Sequence, residues 1–301
     1  MLAVTILGNN SAIPAHGRHP TAQVVTVGNE LILLDCGEGT QMQMSSYKIK
    51  RSKINVICIS HLHGDHYFGL IGLLTSYGLL GRTQALALYA PAALQYIIQA
   101  QLNAADTVLP YTLNFAPIIQ SGLIHTTTKY TITAFETEHR IACYGFVIKQ
   151  ITNPRKINKE NCLLYDIPLA YYPQLQQGNN YTNKQGVVIT NELLTTATAA
   201  TKSYAYCADT RYSENILPAI NNCNLIYHET TYLHCETEKA NIRYHSTSIQ
   251  AATIATLANC KALIIGHFSS NYSDLEPHLT EAKSTFENTQ LAQEGATYIV
   301  Q

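Results

Sequence analysis

The sequence predicts an α/β fold, and three observations predict it. Short β-rich runs recur along the 301 residues with helical stretches between them. Hydrophobic residues make up 46% of the chain, enough to bury a large core. Several apolar runs also end in a side chain of metal-binding type, as expected where an α/β sheet delivers its site at the carboxyl ends of its strands.

In chain order the runs are LAVTIL, AQVVTV, ELILLD, NVICIS, ALALYA, YTITAF, SYAYCAD, NLIYHE, ALIIGH and ATYIV. Helices are expected over Gly69–Leu80, Pro91–Gln101, Ser246–Ala258 and Glu276–Gln293, the first and third with apolar residues at helical spacing. No short internal repeat is present. The expectation is a single domain over 1–301. Its rhythm breaks once, from Gln150 to about Thr190, where NPRKINKEN, Pro168, Pro173 and six Asn or Gln between 174 and 183 stand among few apolar runs. This stretch reads either as an excursion from the core, centred on about 150–185, or as a plain surface loop.

A formal charge of −1 excludes a chain that coats nucleic acid by bulk charge, since such binding depends on many Lys and Arg contacts to phosphate. Any RNA contact has to be local. The eight cysteines are dispersed, and none forms a pair with the two-residue gap of a zinc knuckle or redox motif. Cys58 in NVICIS and Cys207 in YAYCAD read as small buried thiols, which implies a reducing compartment. MLAVTILGNN lacks a basic region followed by a long apolar stretch, and no run is long enough to cross a bilayer, so no membrane association and a cytoplasmic location are expected.

The chemistry concentrates at the strand ends. ELILLD ends at Asp35, NVICIS runs into His61, YAYCAD ends at Asp209, NLIYHE carries His228 and Glu229, and ALIIGH ends at His267. The sharpest signal is His61-Leu-His63-Gly-Asp65-His66, four candidate ligands in six residues, directly after a strand and before a helix. A catalytic zinc takes about three protein ligands and keeps a position for water, so this cluster exceeds the needs of one ion and falls short of two. Gly64 lets the turn fold tightly without a Cβ clash. His139, in FETEHR, is weak alone but lies between the strand-like YTITAF and ACYGFVIK.

The chain resembles the ribonuclease Z branch of the metallo-β-lactamase superfamily over nearly its whole length. Matching segments are LGNNSAIPAHGR, LLDCGEGTQMQ, SHLHGDHYFGLIGLL, the strand ending at Asp209 with DTRY following, HETTY, RYHSTS and GHFSSNY. HLHGDH carries the superfamily; GEGTQ, HETTY and RYHSTS in order carry the branch. The resemblance implies a four-layer αββα sandwich with the site at one edge of the two sheets. It also implies two Zn²⁺ per chain, with Mn²⁺ or Fe²⁺ able to use the same donors. One ion would be held by His61, His63 and His139, the other by Asp65, His66 and His267, with Asp209 bridging. Asp35 would either accept a hydrogen bond from a ligating imidazole or cap the GEGT turn.

Such a pair of metals roughly 3.5–4 Å apart can share and activate a hydroxide for in-line attack on a phosphodiester. Asp65, His245 and Glu229 are then the candidate catalytic residues: His245 as proton donor to the leaving oxygen, and Glu229 as the group that orients it. A histidine idle at a helix start, beside a Ser246 or Thr247 cap, is the plain alternative for His245. The implied activity is zinc-dependent endoribonuclease removal of the 3′ trailer of precursor tRNA, by a homodimer whose projecting arm grips the tRNA. Arg155, Lys156 and Lys159 fall in that arm and are the candidate substrate contacts. Two departures stand out: Leu169-Ala170 after Ile167-Pro168 where the family commonly has Gly-Pro, and Asn271 where HFSxRY usually has Arg. Lys48, Lys50, Arg51 and Lys53 are further basic candidates. The alternatives are a phosphodiesterase of the same fold acting on a small molecule, and a metal-stabilised scaffold with no open metal position.

Overall fold

The computed structural model describes residues 1–151, 154–198 and 200–301, so Asn153, the first residue of NPRKINKEN, lies outside the described residues. Strands in the first half are β1 (Leu2–Gly8), β2 (Ala22–Val27), β3 (Glu30–Leu34), β4 (Ile54–Cys58), β5 (Leu86–Pro91), β6 (Leu113–Ile118), β7 (Gly122–Thr126), β8 (Tyr130–Glu136) and β9 (Tyr144–Gln150). Four two-residue strands follow: β10 (Lys156–Ile157), β11 (Tyr181–Thr182), β12 (Val188–Ile189) and β13 (Thr195–Thr196). The last five are β14 (Ser203–Cys207), β15 (Leu225–Glu229), β16 (Ala262–Gly266), β17 (Thr289–Leu291) and β18 (Thr297–Ile299). Helices are α1 (Thr40–Ser46), α2 (Gly64–Tyr67), α3 (Leu70–Leu79), α4 (Ala93–Ala104), α5 (Lys159–Leu164), α6 (Tyr172–Gln176), α7 (Asn191–Leu194), α8 (Leu217–Ile220), α9 (Thr237–Arg243), α10 (Ser248–Leu257) and α11 (Glu276–Thr285).

The chain divides into two compact units: residues 1–150 with 202–301, and residues 151–201. The first unit holds two seven-stranded sheets, ordered β18-β1-β2-β3-β4-β5-β6 and β17-β16-β15-β14-β9-β8-β7. Each has a parallel block of four strands, β3 to β6 and β14 to β17, joined through helices, and an antiparallel remainder. Alternation along the strands divides their side chains between two cores. Val4, Ile32, Leu34, Val56 and Cys58 of one sheet share a cluster with Ile132, Phe146, Tyr204, Tyr206 and Ile264 of the other. Their neighbours face outward: Leu33, Ile57 and Leu88 pack with Leu73, Leu74 and Leu94 of α3 and α4. Ala205, Cys207, Leu263 and Ile265 pack with Ile220, Ala251, Ala255 and Ala282 of α8, α10 and α11. Two inner sheets covered by two helical layers make the αββα sandwich. Each fully buried Val, Leu, Ile or Phe contributes roughly 1.5–3 kcal/mol, so these three clusters dominate the stability of the unit.

Two expected helices differ in extent. Pro91 closes β5, opposite Ile118, and α4 begins at Ala93 because the strand pairing claims the preceding residues. α11 stops at Thr285, where Phe286 turns extended, and Thr289–Leu291 instead becomes β17, pairing in parallel with β16. The helix Ser246–Ala258 is realised as α10. It is started by a capping box in which the Thr247 hydroxyl accepts from Gln250 N–H and the Gln250 side chain accepts from Thr247 N–H.

The second unit is ordered around its polar residues. β10 pairs with β13 and β11 with β12, both antiparallel, around a small core of Cys162, Ile167, Leu175, Ile189 and Leu194. Buried Asn191 ties the pieces together: its Nδ2 donates to the carbonyls of Leu175 and Asn179, both at 2.8 Å, and its Oδ1 accepts from Thr195 Oγ1 at 2.7 Å. Asn158 caps α5 by accepting from Asn161 N–H at 3.1 Å. Asparagines here supply backbone partners that two-residue strands cannot.

Candidate metal centre

Because β3, β4 and β14 to β16 lie in parallel blocks, their carboxyl ends within each sheet point one way, and the polar residues that follow them meet. The HLHGDH segment leaves β4 and enters α2. Gly64 leaves room there for the Phe68 ring, which a Cβ would approach to 2.1 Å unless the ring moved aside. His61 Nε2 stands 3.0 Å from His63 Nδ1, and His139 Nε2 stands 3.1 Å from the same atom. Asp209 Oδ2 faces this trio, 3.5 Å from His61 Nε2 and 3.9 Å from His139 Nε2. Across it, His66 Nε2 and His267 Nε2 are 3.3 Å apart, and Asp65 Oδ2 is 3.5 and 3.4 Å from them. Asp209 Oδ1 faces this second trio at 3.3 and 3.2 Å. One carboxylate thus turns one oxygen to each group.

The far nitrogens fix the tautomers. His66 Nδ1–H donates to Asp35 Oδ2 at 2.8 Å, His139 Nδ1–H to the Tyr244 carbonyl at 2.9 Å, and His267 Nδ1–H to Thr231 Oγ1 at 2.9 Å. His61 Nδ1 lies 3.0 Å from Ser60 Oγ, which donates to Asp35. Asp35 also accepts from Ser60 N–H at 2.7 Å and from the Tyr206 hydroxyl at 2.6 Å, so its carboxylate serves the imidazole cluster rather than the GEGT turn. Ser60, Tyr206, Thr231 and Tyr244 are residues that sequence reasoning missed; the only signal was adjacency to a motif. Asp35, Tyr244 and His267 all sit at positive φ (56°, 59° and 60°), strain of the kind held where a site over-determines the backbone.

Burial together with neighbouring His66 lowers the basicity of His61, burial with neighbouring His139 does so for His63, and burial with neighbouring His245 does so for His139, which favours the neutral, metal-ligating form of each. Burial opposes charge on Asp209 too, but His267, His66 and His61 hold it far below the usual carboxylate range. Its Oδ1 is buried without a hydrogen-bond partner. An ionised carboxylate oxygen left so would be costly without a cation. Zinc bonds to imidazole of about 2.0–2.1 Å would set ligand atoms about 3.3 Å apart in a tetrahedron, close to the spacings found. The residues therefore fit a divalent metal.

Beside them, His245 Nδ1 lies 2.8 Å from Glu229 Oε1 and 4.0 Å from Asp209 Oδ2. Burial works against charge on His245, but Glu229 outweighs it and raises the imidazole to about 9. Glu229 is itself buried and accepts from the N–H groups of Thr210, Thr231 and Ser246. Thr231 Oγ1 donates to Glu229 Oε2 at 2.8 Å while accepting from His267, linking the pair to the metal ligands. His63, Asp65, His139, Asp209 and His245 line an open pocket of about 420 Å³ together with Arg140 and Arg243. His228 is buried, with Nδ1 on the Glu229 carbonyl, and takes no part. Arg155, Lys156 and Lys159 lie in the second unit, where Arg155 Nε donates to Thr195 Oγ1 at 2.7 Å. The Lys48–Lys53 stretch leads into β4, and Arg51 and Lys53 line a pocket with Tyr77 and Arg82. Among the described residues no helix is long and apolar enough to cross a membrane, and all eight cysteines are free.

Fold and site define a metal-dependent hydrolase of the metallo-β-lactamase fold. Two solved structures share the architecture over 99% of this chain: the short form of human tRNase Z (TM-score 0.72, 23% identity, 99% of that chain) and the metallo-β-lactamase fold protein YhfI of Bacillus subtilis (TM-score 0.69, 19% identity, 98% of that chain). A Ribonuclease Z of Bacteroides fragilis is 38% identical over 292 residues, 96% of each chain. The chain belongs to the ribonuclease Z family. A family model described as Anti-Pycsar protein Apyc1 also matches residues 2–157, a span that includes HLHGDH and His139 but stops before Asp209, Glu229, His245 and His267.

Proposed function

We propose that the protein is an endoribonuclease that hydrolyses the phosphodiester joining a 3′ trailer to precursor tRNA. The observation that carries the chemistry is the His245–Glu229 pair, 2.8 Å apart, set beside a carboxylate that divides its oxygens between two ligand trios. Family membership over 96% of the chain supports the tRNA substrate over a small ester. His61, His63 and His139 would hold one divalent cation and Asp65, His66 and His267 a second, with Asp209 shared. Zinc suits the donors, and Mn²⁺ or Fe²⁺ could use them too. When bound, the pair lowers the pKa of water and neutralises charge on the phosphate.

The chain's own groups do the rest. Asp65 Oδ2 accepts from Ala12 N–H at 2.7 Å. Although burial opposes it, His66 holds Asp65 ionised, so its carboxylate can orient the attacking water. Glu229 keeps a proton on His245 Nδ1, and His245 Nε2–H donates to the departing 3′ oxygen, a poor leaving group unless protonated. Residues 151–201 would act as the projecting arm that grips the tRNA through Arg155, Lys156 and Lys159, in a cytoplasmic homodimer. Purified protein, metal-loaded, is offered precursor tRNA and, separately, a chromogenic phosphodiester. Release of the trailer at one position is expected; hydrolysis of the small ester alone would transfer the assignment to a small-molecule phosphodiesterase.

A further inference from the structure

A cavity of about 470 Å³, within the size range of small-ligand sites, opens where β4 begins, between the turn Arg51–Lys53 and the loop that follows α3. β4 runs from this cavity towards the metal ligands, so the two sites stand about one strand length apart, roughly 15 Å. Arg51, Lys53 and Arg82 line the cavity, and among the described residues no acidic side chain does. The described Lys and Arg ion pairs join Lys129 to Glu30, Arg211 to Glu138 and Lys239 to Glu236, which leaves these three cations without a carboxylate. The local sequence has the same bias: between Glu38 and Asp106 stand five Lys or Arg and a single acid, Asp65, which belongs to the metal centre.

Arg82 is fixed as part of the wall. Its Nε donates to the Gln84 carbonyl at 2.8 Å, Nη1 to the Ile54 carbonyl at 2.9 Å and Nη2 to the Ala85 carbonyl at 3.0 Å, and the guanidinium lies 5.1 Å from the centre of the Tyr77 ring. Carbonyls and a ring orient this charge without neutralising it. Arg51 is half-buried and Lys53 exposed. Three positive charges around one cavity exceed the single charge of an RNA diester and suit a phosphomonoester, which carries nearly two negative charges near neutral pH. Asn55 and Leu80 add polar and apolar wall for the organic part of such a ligand. We propose that this cavity is a second, non-catalytic site that binds a small phosphomonoester of nucleotide size, its phosphate held by Arg51 and Lys53 beside the fixed charge of Arg82. The planar donors of Arg51 match two phosphate oxygens, and the Lys53 ammonium adds a point charge.

The chain has no tryptophan and Leu80 is 65% exposed, so Leu80→Trp places a single fluorophore on the cavity wall. Metal-loaded Leu80→Trp protein is titrated with uridine 5′-monophosphate, with uridine and with precursor tRNA, alone and combined with Arg51→Gln or Lys53→Gln. The nucleotide should shift the emission saturably, with half-saturation below about 1 mM. Inorganic phosphate should compete with it, and uridine should have no effect. Each substitution should raise the half-saturation roughly tenfold, the size of one charged hydrogen bond at a wet site. Hydrolysis of a chromogenic phosphodiester should stay within about twofold of the parent in every variant, because the metals lie at the other end of β4. No saturable shift, the same shift from uridine, or a half-saturation unmoved by both substitutions would overturn the proposal. So would a shift produced by precursor tRNA and not by the nucleotide, which would make the cavity part of an RNA track. Should Leu80→Trp itself lose diester hydrolysis, equilibrium dialysis with radiolabelled nucleotide compares the unsubstituted protein with the Arg51→Gln, Lys53→Gln double variant. The double variant should bind one equivalent fewer, and equal numbers would overturn the proposal.

Discussion

The metal-site region and the 151–201 unit are built on opposite principles. In the metal-site region His61, His66, Asp209 and His267 are buried, and Asp35 and Glu229 each accept from several donors. The 151–201 unit has a core of a few apolar side chains, and leaves Leu163, Leu164 and Leu169 exposed at 75%, 73% and 77%. Its four basic residues, Arg155, Lys156, Lys159 and Lys184, are nearly offset in charge by three acidic ones, Glu160, Asp166 and Glu192. A reaction needs atoms held to fractions of an ångström, whereas the substrate recognition proposed for the 151–201 unit would ask of it only shape and a few contacts.

The largest effect expected on the catalytic side comes from Asp209. Asp209→Ala should remove both metals together and take cleavage below detection, because each trio loses the oxygen that faces it. His61→Ala should deplete mainly one ion. Metal analysis against protein concentration checks both, with close to two ions per chain expected in the parent. Retention of one ion by Asp209→Ala would break the picture of a shared carboxylate.

His245→Ala should come next. Metal content and RNA affinity should stay near those of the parent while single-turnover cleavage falls roughly 10²–10⁴-fold, the range of a positioned acid. Glu229→Ala should resemble it, since the carboxylate acts through the imidazole at 2.8 Å, and the double variant should lose little more than either alone. Additive losses would mean that Glu229 mainly supports the backbone N–H groups of Thr210, Thr231 and Ser246.

The two regions also differ in how far they can be read from the sequence. Strand-end ligands are legible because a buried strand is an apolar run, and Asp209 or His267 at its end breaks the run abruptly. The partners of those ligands are not, because Tyr206, Ser60 and Tyr244 reach them from places that only the packing of the two sheets determines. Half-exposed β6 and β7 lack the pattern that marks an inner strand, and the helix expected through Gln293 overran an edge strand of three residues. In 151–201 the core residues are single apolar side chains scattered among Asn, Gln and Thr, so periodicity carries no signal and a loop was as good a reading.

Excision tests the division of labour. Gln150 N–H donates to the Lys202 carbonyl at 2.8 Å, so the residues flanking the 151–201 unit are neighbours within the first unit. A short Gly-Ser bridge between them should preserve β9 and β14, the metals and hydrolysis of a chromogenic phosphodiester. Cleavage of precursor tRNA should fall roughly 10²-fold, since remote binding energy positions a large substrate. Equal losses on both substrates would assign the unit to the fold or to the active site itself.

The smallest effects should come from single charges in that unit, and they test how it recognises RNA. Lys156→Gln and Lys159→Gln remove exposed ammonium groups, and if each meets a phosphate the salt slope of precursor-tRNA binding should fall by about one contact apiece, with affinity lowered only a few-fold near physiological salt. Arg155 is different, because its Nε already donates to Thr195 Oγ1, which in turn donates to Asn191. Arg155→Gln should therefore loosen the unit as well as remove a charge, and Arg155→Lys should keep the charge while losing that hydrogen bond. Binding restored by Arg155→Lys would mark an electrostatic contact. Binding still weak in Arg155→Lys, with faster proteolysis within 151–201, would mark Arg155 as a strut of the unit and leave Lys156 and Lys159 as its contacts with phosphate.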